Sequence, residues 1–278
     1  MNIPVEQLES RTSSLIGDFP NTYTFSKALG ERILEKHRGD VPVTIVRPSI
    51  IGCAIKDPFP GWIDSVSAAA ALYLFGGIGL IQVAHGNKNY IGDQIPVDMC
   101  ADTIIVAAAT YANTNALNVI HSGTSGANPV SWGYTVKIVT KYWQTYPPEK
   151  KVAYCNFRLQ KNDKLLKAEQ FVRRVPTLAY HKVANTVQNA KMKRSAGKLY
   201  KAQRRAEELS DLFEYFIMNE WIYVTTHIQE LQMSCTKEEV EIFQIDPRVI
   251  NWKKYLYYFC WGLHRFILKE NVDPPAEV

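Results

Sequence analysis

Apolar and polar positions along the chain sort into short alternating runs in its first half and into longer helical stripes in its second. From Thr22 to His37 good helix formers run without a proline until Pro42, Asn21 stands where an N-cap would, and Gly39 stops the helix. The β-branched run Val43 to Val46 follows at once and predicts a strand. Ser65 to Ala84 is mostly apolar, and no formal charge falls between Asp64 and Lys88. Its alanines and the glycines at 76, 77 and 79 make it too weakly apolar and too broken for a bilayer span, so a buried or substrate-facing helix with a glycine turn is expected. Ile95 to Val97 predicts a short strand, with Asp98 or Asp102 capping a helix over Ala101 to Tyr111. Leu117 to His121 predicts another strand, and Val130 to Trp143 an amphipathic helix.

These units predict an α/β fold: the C-terminal part of a Rossmann-like, doubly wound parallel sheet, followed by a mostly helical region. Tyr146-Pro147-Pro148 marks the change, dividing residues 1–148 from a helical domain at 149–278. Beyond it Leu209, Leu212, Phe213 and Phe216 recur at helical spacing. So do Trp252, Tyr255, Leu256, Phe259, Leu263 and Phe266, after Asn251 as a cap. Such stripes ordinarily build a core.

Composition narrows the class. With 278 residues, 46% of them hydrophobic, the chain can bury a sizeable core in one or two domains. Met1 to Arg11 is polar and acidic, without the basic and apolar runs of a secretory signal. The five cysteines are widely spaced, which suits reduced thiols rather than a disulfide framework, and neither they nor the scattered histidines at 121, 181, 227 and 264 suggest a metal site. Charge is uneven. Lys161 to Arg205 carries thirteen basic and two acidic residues, so the rest of the chain is net −6 against +5 overall. A segment this basic suits acidic lipid headgroups, the phosphates of CoA or plain solvent exposure, and no nucleic-acid recognition motif accompanies it.

The candidate chemistry lies in the first helix and strand. Spacing i, i+4 puts Tyr23 and Lys27 on one face. There an ammonium stabilises a phenolate and makes the phenol usable as a general acid or base. Tyr146 and Lys150 share the spacing, but Pro147 and Pro148 exclude a helix between them.

The order of that helix, the strand and Arg47-Pro48-Ser49 resembles the short-chain dehydrogenase/reductase family, particularly its extended members. Within it, N-T-Y-T-F-S-K-A-L-G-E from Asn21, I-V-R-P-S-I-I from Ile45, D-P-F-P-G-W-I-D at Asp57 to Asp64 and I-P-V-D at Ile95 to Asp98 resemble alcohol-forming fatty acyl-CoA reductases. K-L-Y-K at Lys198 to Lys201, E-Y-F at Glu214 to Phe216, N-E-W at Asn219 to Trp221 and I-N-W-K-K-Y at Ile250 to Tyr255 resemble that family's helical C-terminal domain.

The resemblance implies NADPH-dependent reduction of a long-chain fatty acyl-CoA to a primary alcohol, by way of an aldehyde held on the enzyme. Tyr23 would protonate the oxyanion, Lys27 would also bind the nicotinamide ribose, and Pro48 would lie against the nicotinamide ring. Long-chain acyl-CoA, a peripheral membrane surface and a second copy of the chain are the partners it suggests. The location it implies is intracellular, on the cytosolic face of the peroxisome or endoplasmic reticulum. In that family the phosphate-binding glycines and a catalytic Ser or Thr precede the tyrosine; here the only glycine before Tyr23 is Gly17. The chain is therefore expected to be the carboxyl-terminal portion of a longer enzyme. The rival expectation is a non-catalytic module that binds acyl-CoA, a membrane surface or a protein.

Overall fold

A computed structural model describes residues 5–187 and 189–276, apart from the side chains of residues 5–10, 209 and 212. Helix α1 (Val5–Ile16) ends at Gly17, whose φ of +56° turns the chain toward α2 (Thr22–His37). Asn21 caps α2 as expected, its Oδ1 accepting the Thr24 N–H at 2.9 Å. Strand β1 (Val43–Pro48) runs two residues further than the β-branched run and pairs in parallel with β5 (Leu117–Ser122), Val43 opposite Leu117 and Pro48 opposite Ser122.

Two further parallel pairs complete the sheet elements: β2 (Ile50–Gly52) with β4 (Gln94–Pro96), and β3 (Val83–His85) with β6 (Arg158–Gln160). Parallel strands need crossovers, and the chain supplies them as helices. These are α3 (Ala68–Gly77), α4 (Val97–Thr110) and α5 (Trp132–Thr145). The fold is thus α/β with small parallel sheets, and a mostly helical region follows.

The uncharged stretch is indeed a buried helix, but its glycines do more than break it. Helix α3 continues through Gly76 and Gly77, where rings pack against its backbone: a Cβ at 77 would sit 2.3 Å from the Trp143 ring and one at 76 would meet Phe157 at 2.9 Å. The stop falls to Gly79, at φ +75°.

The expected cap at Asp98 or Asp102 is corrected. Helix α4 starts at Val97 with Pro96 before it, so neither aspartate stands at the N-cap. Asp98 instead accepts the backbone N–H groups of Ile55, Lys56 and Asp57, and Asp102 accepts that of Gln244. Each carboxylate ties α4 to a distant loop.

Beyond Tyr146 come α6 (Asp163–Thr186), α7 (Ala190–Ile217), α8 (Thr226–Ser234), α9 (Lys237–Ile242) and α10 (Trp252–Gly262). A π-helical turn over Leu263–Ile267 carries α10 onward. Asn251 caps α10 through the Lys254 N–H. The aromatic stripe of α10 enters the same core as α3 and α5: Phe259 meets Tyr73 edge-on at 5.2 Å, and the Tyr255 hydroxyl donates to the Cys53 carbonyl. In the other stripe Phe213 packs against this core, while the side chains of Leu209 and Leu212 lie outside the described residues. All five cysteines are free thiols. Among the described residues no helix is long and apolar enough to cross a membrane.

Candidate functional site

Helix α2 contains no buried residue. What fixes it against the sheet is polar: Arg47, near the end of β1, donates from Nε and Nη2 to the two carboxylate oxygens of Glu31. At the far end of the helix Arg38 donates to the Asn115 carbonyl, before β5. A planar guanidinium gripping a carboxylate at two points fixes orientation as well as distance. Arg47 holds the Glu31 carboxyl below the usual carboxylate range, and Glu31 in turn raises the guanidinium.

Tyr23, Lys27 and Glu31 follow one another at i, i+4 and i+8, so anchoring Glu31 sets where the other two point. Lys27 Nζ lies 5.6 Å from the centre of the Tyr23 ring, and Tyr23 is 65% exposed. Tyrosine and ammonium are therefore brought together and open to a ligand from outside. Pro48 stands one residue beyond Arg47, exposed at the carboxyl end of β1, where ligands of parallel sheets usually bind.

Around that strand end the structure adds groups that sequence reading did not single out. Ser49 donates its backbone N–H to the Ser122 carbonyl, yet its buried hydroxyl has no partner. His121, opposite Arg47 in the register, lies against Tyr223 with ring centres 5.4 Å apart. Burial lowers the His121 pKa, and the neighbouring Arg47 charge pushes it the same way, so it favours the neutral ring. Buried Asp93 accepts from the Thr124 N–H and hydroxyl and from the Ser125 N–H, fixing the loop after β5. The only legible hint of this was Glu31, which continues the Tyr23 and Lys27 spacing; its partner Arg47 is joined to it by folding alone.

An ammonium and a phenol side by side, an exposed proline ring and an unsatisfied hydroxyl suit the ribose and nicotinamide end of a dinucleotide. Among the described residues no strand and glycine-rich turn that would cradle its phosphates stands ahead of α2. Among the described residues no group of three or more His, Cys, Asp or Glu could hold a metal ion.

The segment Asp57 to Asp64 lies against the C-terminal region, with Phe59 meeting Phe266 at 5.5 Å and Gly61 packed under the Tyr258 carbonyl. Beside it lies a cavity of about 200 Å³ bounded by Pro60, Lys254 and Tyr258. The larger cleft, about 480 Å³, opens elsewhere, between α5 and β6.

Two family models match the chain, both described as male sterility protein: a NAD-binding one over residues 4–104 and a second over 178–270. Fatty acyl-CoA reductase 1 of Xenopus laevis is 31% identical over 267 residues, covering 94% of this chain and 50% of the relative. The Homo sapiens protein of the same name is 30% identical over the same span. Fatty acyl-CoA reductase 2 of Mus musculus is 30% identical over 269 residues, 95% of this chain and 51% of the relative. The chain spans about half the length of the curated relatives it matches.

Proposed function

We propose that this chain, which belongs to the fatty acyl-CoA reductase family, carries the proton-donating part of the reduction of a long-chain fatty acyl-CoA to a primary alcohol. The observation that carries the reading is the Tyr23 and Lys27 pair, exposed together on a helix locked to β1 by Glu31 and Arg47. NADPH, when bound, supplies the hydride for each of the two reductions. Tyr23 gives its phenolic proton to the thioester carbonyl oxygen as negative charge develops there. The resulting thiohemiacetal collapses to the aldehyde, its hydroxyl proton leaving with CoA as the free thiol, and Tyr23, reprotonated from solvent, donates again to the aldehyde oxygen. The Lys27 ammonium stabilises the phenolate left behind and hydrogen-bonds the nicotinamide ribose. Pro48 bounds the nicotinamide face. The phosphate-binding glycines and the catalytic Ser or Thr belong, on this reading, to the part of the enzyme that the relatives carry and this chain does not, residues 1–148 completing the reductase domain and 149–278 forming the helical one.

Fluorescence titration with NADPH tests it. The expected result is measurable affinity that falls in Lys27→Ala and persists in Tyr23→Phe, while Tyr23→Phe loses turnover of palmitoyl-CoA. If the folded chain binds no NADPH, or binds it equally well in Lys27→Ala, the role given to Lys27 at the nicotinamide ribose fails.

A second reading, docking on a membrane surface, has its own support in α6 and α7. Helix α6 leaves Phe171 65% and Val172 68% exposed, and Val175, Leu178 and Val183 share that uncovered face. Helix α7 exposes Lys191, Arg194, Lys198, Lys201 and Arg205. Apolar residues on one helix and cations on its neighbour suit an interfacial position on anionic lipid, such as the cytosolic face of the peroxisome or endoplasmic reticulum. Co-sedimentation with phosphatidylserine vesicles tests this: Phe171→Ser with Val172→Ser should abolish it, and binding unchanged by that pair would end the reading.

A further inference from the structure

The cleft between α5 and β6 has a composition that its position in the fold does not require. Helix α5 carries no acidic residue, and its Lys137 and Lys141, one turn apart, both face the cleft. Two like charges at i, i+4 repel each other on a helix surface. Lys88 brings a third cation from the turn after β3. That turn approaches so closely that a Cβ at Gly133 would sit 2.7 Å from the Lys88 carbonyl oxygen. Arg158 on β6 is the fourth, and it alone of the four has a carboxylate partner among the described residues, Glu169 at 2.5 Å. The floor between these cations is apolar, made by Val136, Phe157 and Leu159. Thr140 and Gln144 spend their side-chain donors on the Phe157 and Cys155 carbonyls, which holds the β6 strand against α5 and keeps the floor in place.

Unpaired ammonium groups ringing an apolar floor complement a ligand with a flat ring at one end and phosphates at the other. The volume of about 480 Å³ falls in the range of small-ligand sites. We propose that this cleft binds a phosphoadenosine group, its base on the apolar floor and its phosphates on Lys88, Lys137 and Lys141. The proposal rests on the reductase reading for its ligand, since two molecules of that reaction carry such a group. CoA ends in adenosine 3′,5′-bisphosphate, and NADPH carries adenosine with a 2′-phosphate. Held at a distance from the reacting carbon, such a handle contributes binding energy without taking part in the chemistry.

Isothermal titration of the full chain with 3′,5′-ADP, 2′,5′-ADP and inorganic phosphate tests it, on the native sequence, on Lys137→Gln with Lys141→Gln, and on Lys164→Gln of α6 as a control. The expected result is binding of a nucleotide that weakens about tenfold or more in the double variant, from the loss of two charge-assisted contacts, and is unchanged in the control. Preference for 3′,5′-ADP assigns the cleft to the acyl-CoA, and preference for 2′,5′-ADP assigns it to the cofactor. Failure of both nucleotides to bind, equal affinity for inorganic phosphate, or indifference to the double variant would overturn the proposal. The two lysines are exposed, so circular dichroism of the double variant should match the native chain. The reductase reading is judged separately, by NADPH titration of Tyr23 and Lys27 variants that leave the cleft intact.

Discussion

The surroundings of α10 and those of α2 are built on opposite terms. Around α10, Tyr73, Phe259, Tyr142 and Trp143 are almost wholly buried, and glycines at 52, 76 and 77 let rings approach the backbone. Within α2 nothing is buried, and two guanidinium contacts, Arg47 on Glu31 and Arg38 on the Asn115 carbonyl, tie the helix to the sheet. Apolar burial is strong and undirected, whereas a bidentate ion pair is weak and directional. The core fixes that the chain folds; the ion pair fixes where Tyr23 and Lys27 point. Damage to the first should therefore appear as lost stability, and damage to the second as lost chemistry.

The largest effects should separate the two regions most clearly. Phe259→Ala removes a fully buried ring between Tyr73 and Tyr255 and should cost about 3–5 kcal/mol in urea denaturation. Tyr23→Phe removes one hydroxyl from an exposed ring, so its stability should stay within about 0.5 kcal/mol of native. On the proposed function, palmitoyl-CoA turnover should nevertheless fall about 10²- to 10⁴-fold, the usual contribution of a general acid. A Tyr23→Phe chain that unfolds at lower urea, or a Phe259→Ala chain of native stability, would break the contrast.

Asp98 tests the boundary between these behaviours. Its carboxylate accepts three backbone N–H groups from Ile55, Lys56 and Asp57 and so fixes a loop beside the core by polar contacts. Asp98→Ala strands those donors, though at a partly exposed site where water can reach them, so a loss of about 1–3 kcal/mol is expected in the same denaturation experiment. Asp98→Asn, which keeps an acceptor oxygen, should recover part of it.

How far the sequence was legible follows the same division. The α2 helix with its Asn21 cap, the strand from Val43 and the buried helix over Ala68–Gly77 were readable because each rests on local propensity or on an unbroken apolar run. The roles of Asp98 and Asp102 were misread, since an aspartate near a helix start looks like a cap whether it bonds its own helix or a loop more than forty residues back. The Tyr23 and Lys27 pair was visible as a spacing on one helix. Glu31 with Arg47, His121 with Tyr223, and the four cations of the α5 cleft come from separate elements and become neighbours only through the fold.

The smallest expected effect bears most directly on how α2 is held. Arg47→Ala should change global stability by no more than about 1 kcal/mol, because the pair it breaks is partly exposed. Acidification should release the same link without a mutation. Glu31 has its folded pKa lowered, chiefly by the hydrogen bond from Arg47, so between the folded and unfolded values the unfolded chain binds more protons than the folded one. The link's contribution is then fully present above the ordinary carboxylate range and is lost as pH falls through the depressed folded value. The aromatic core around Tyr73 and Phe259 meets a carboxylate at its margin, Glu270 on buried His264, whose folded pKa is also lowered, but its ring packing and apolar burial should keep α3 and α10 protected when that carboxylate protonates. Hydrogen exchange followed by mass spectrometry down through that range should show α2 amides losing protection before those of α3 and α10, once rates are corrected for the intrinsic pH dependence of exchange. In Glu31→Gln the α2 amides should be less protected at neutral pH and should show no further step on acidification. Simultaneous loss in all three helices would mean that α2 is held by the core after all, and that Arg47 does not position Tyr23.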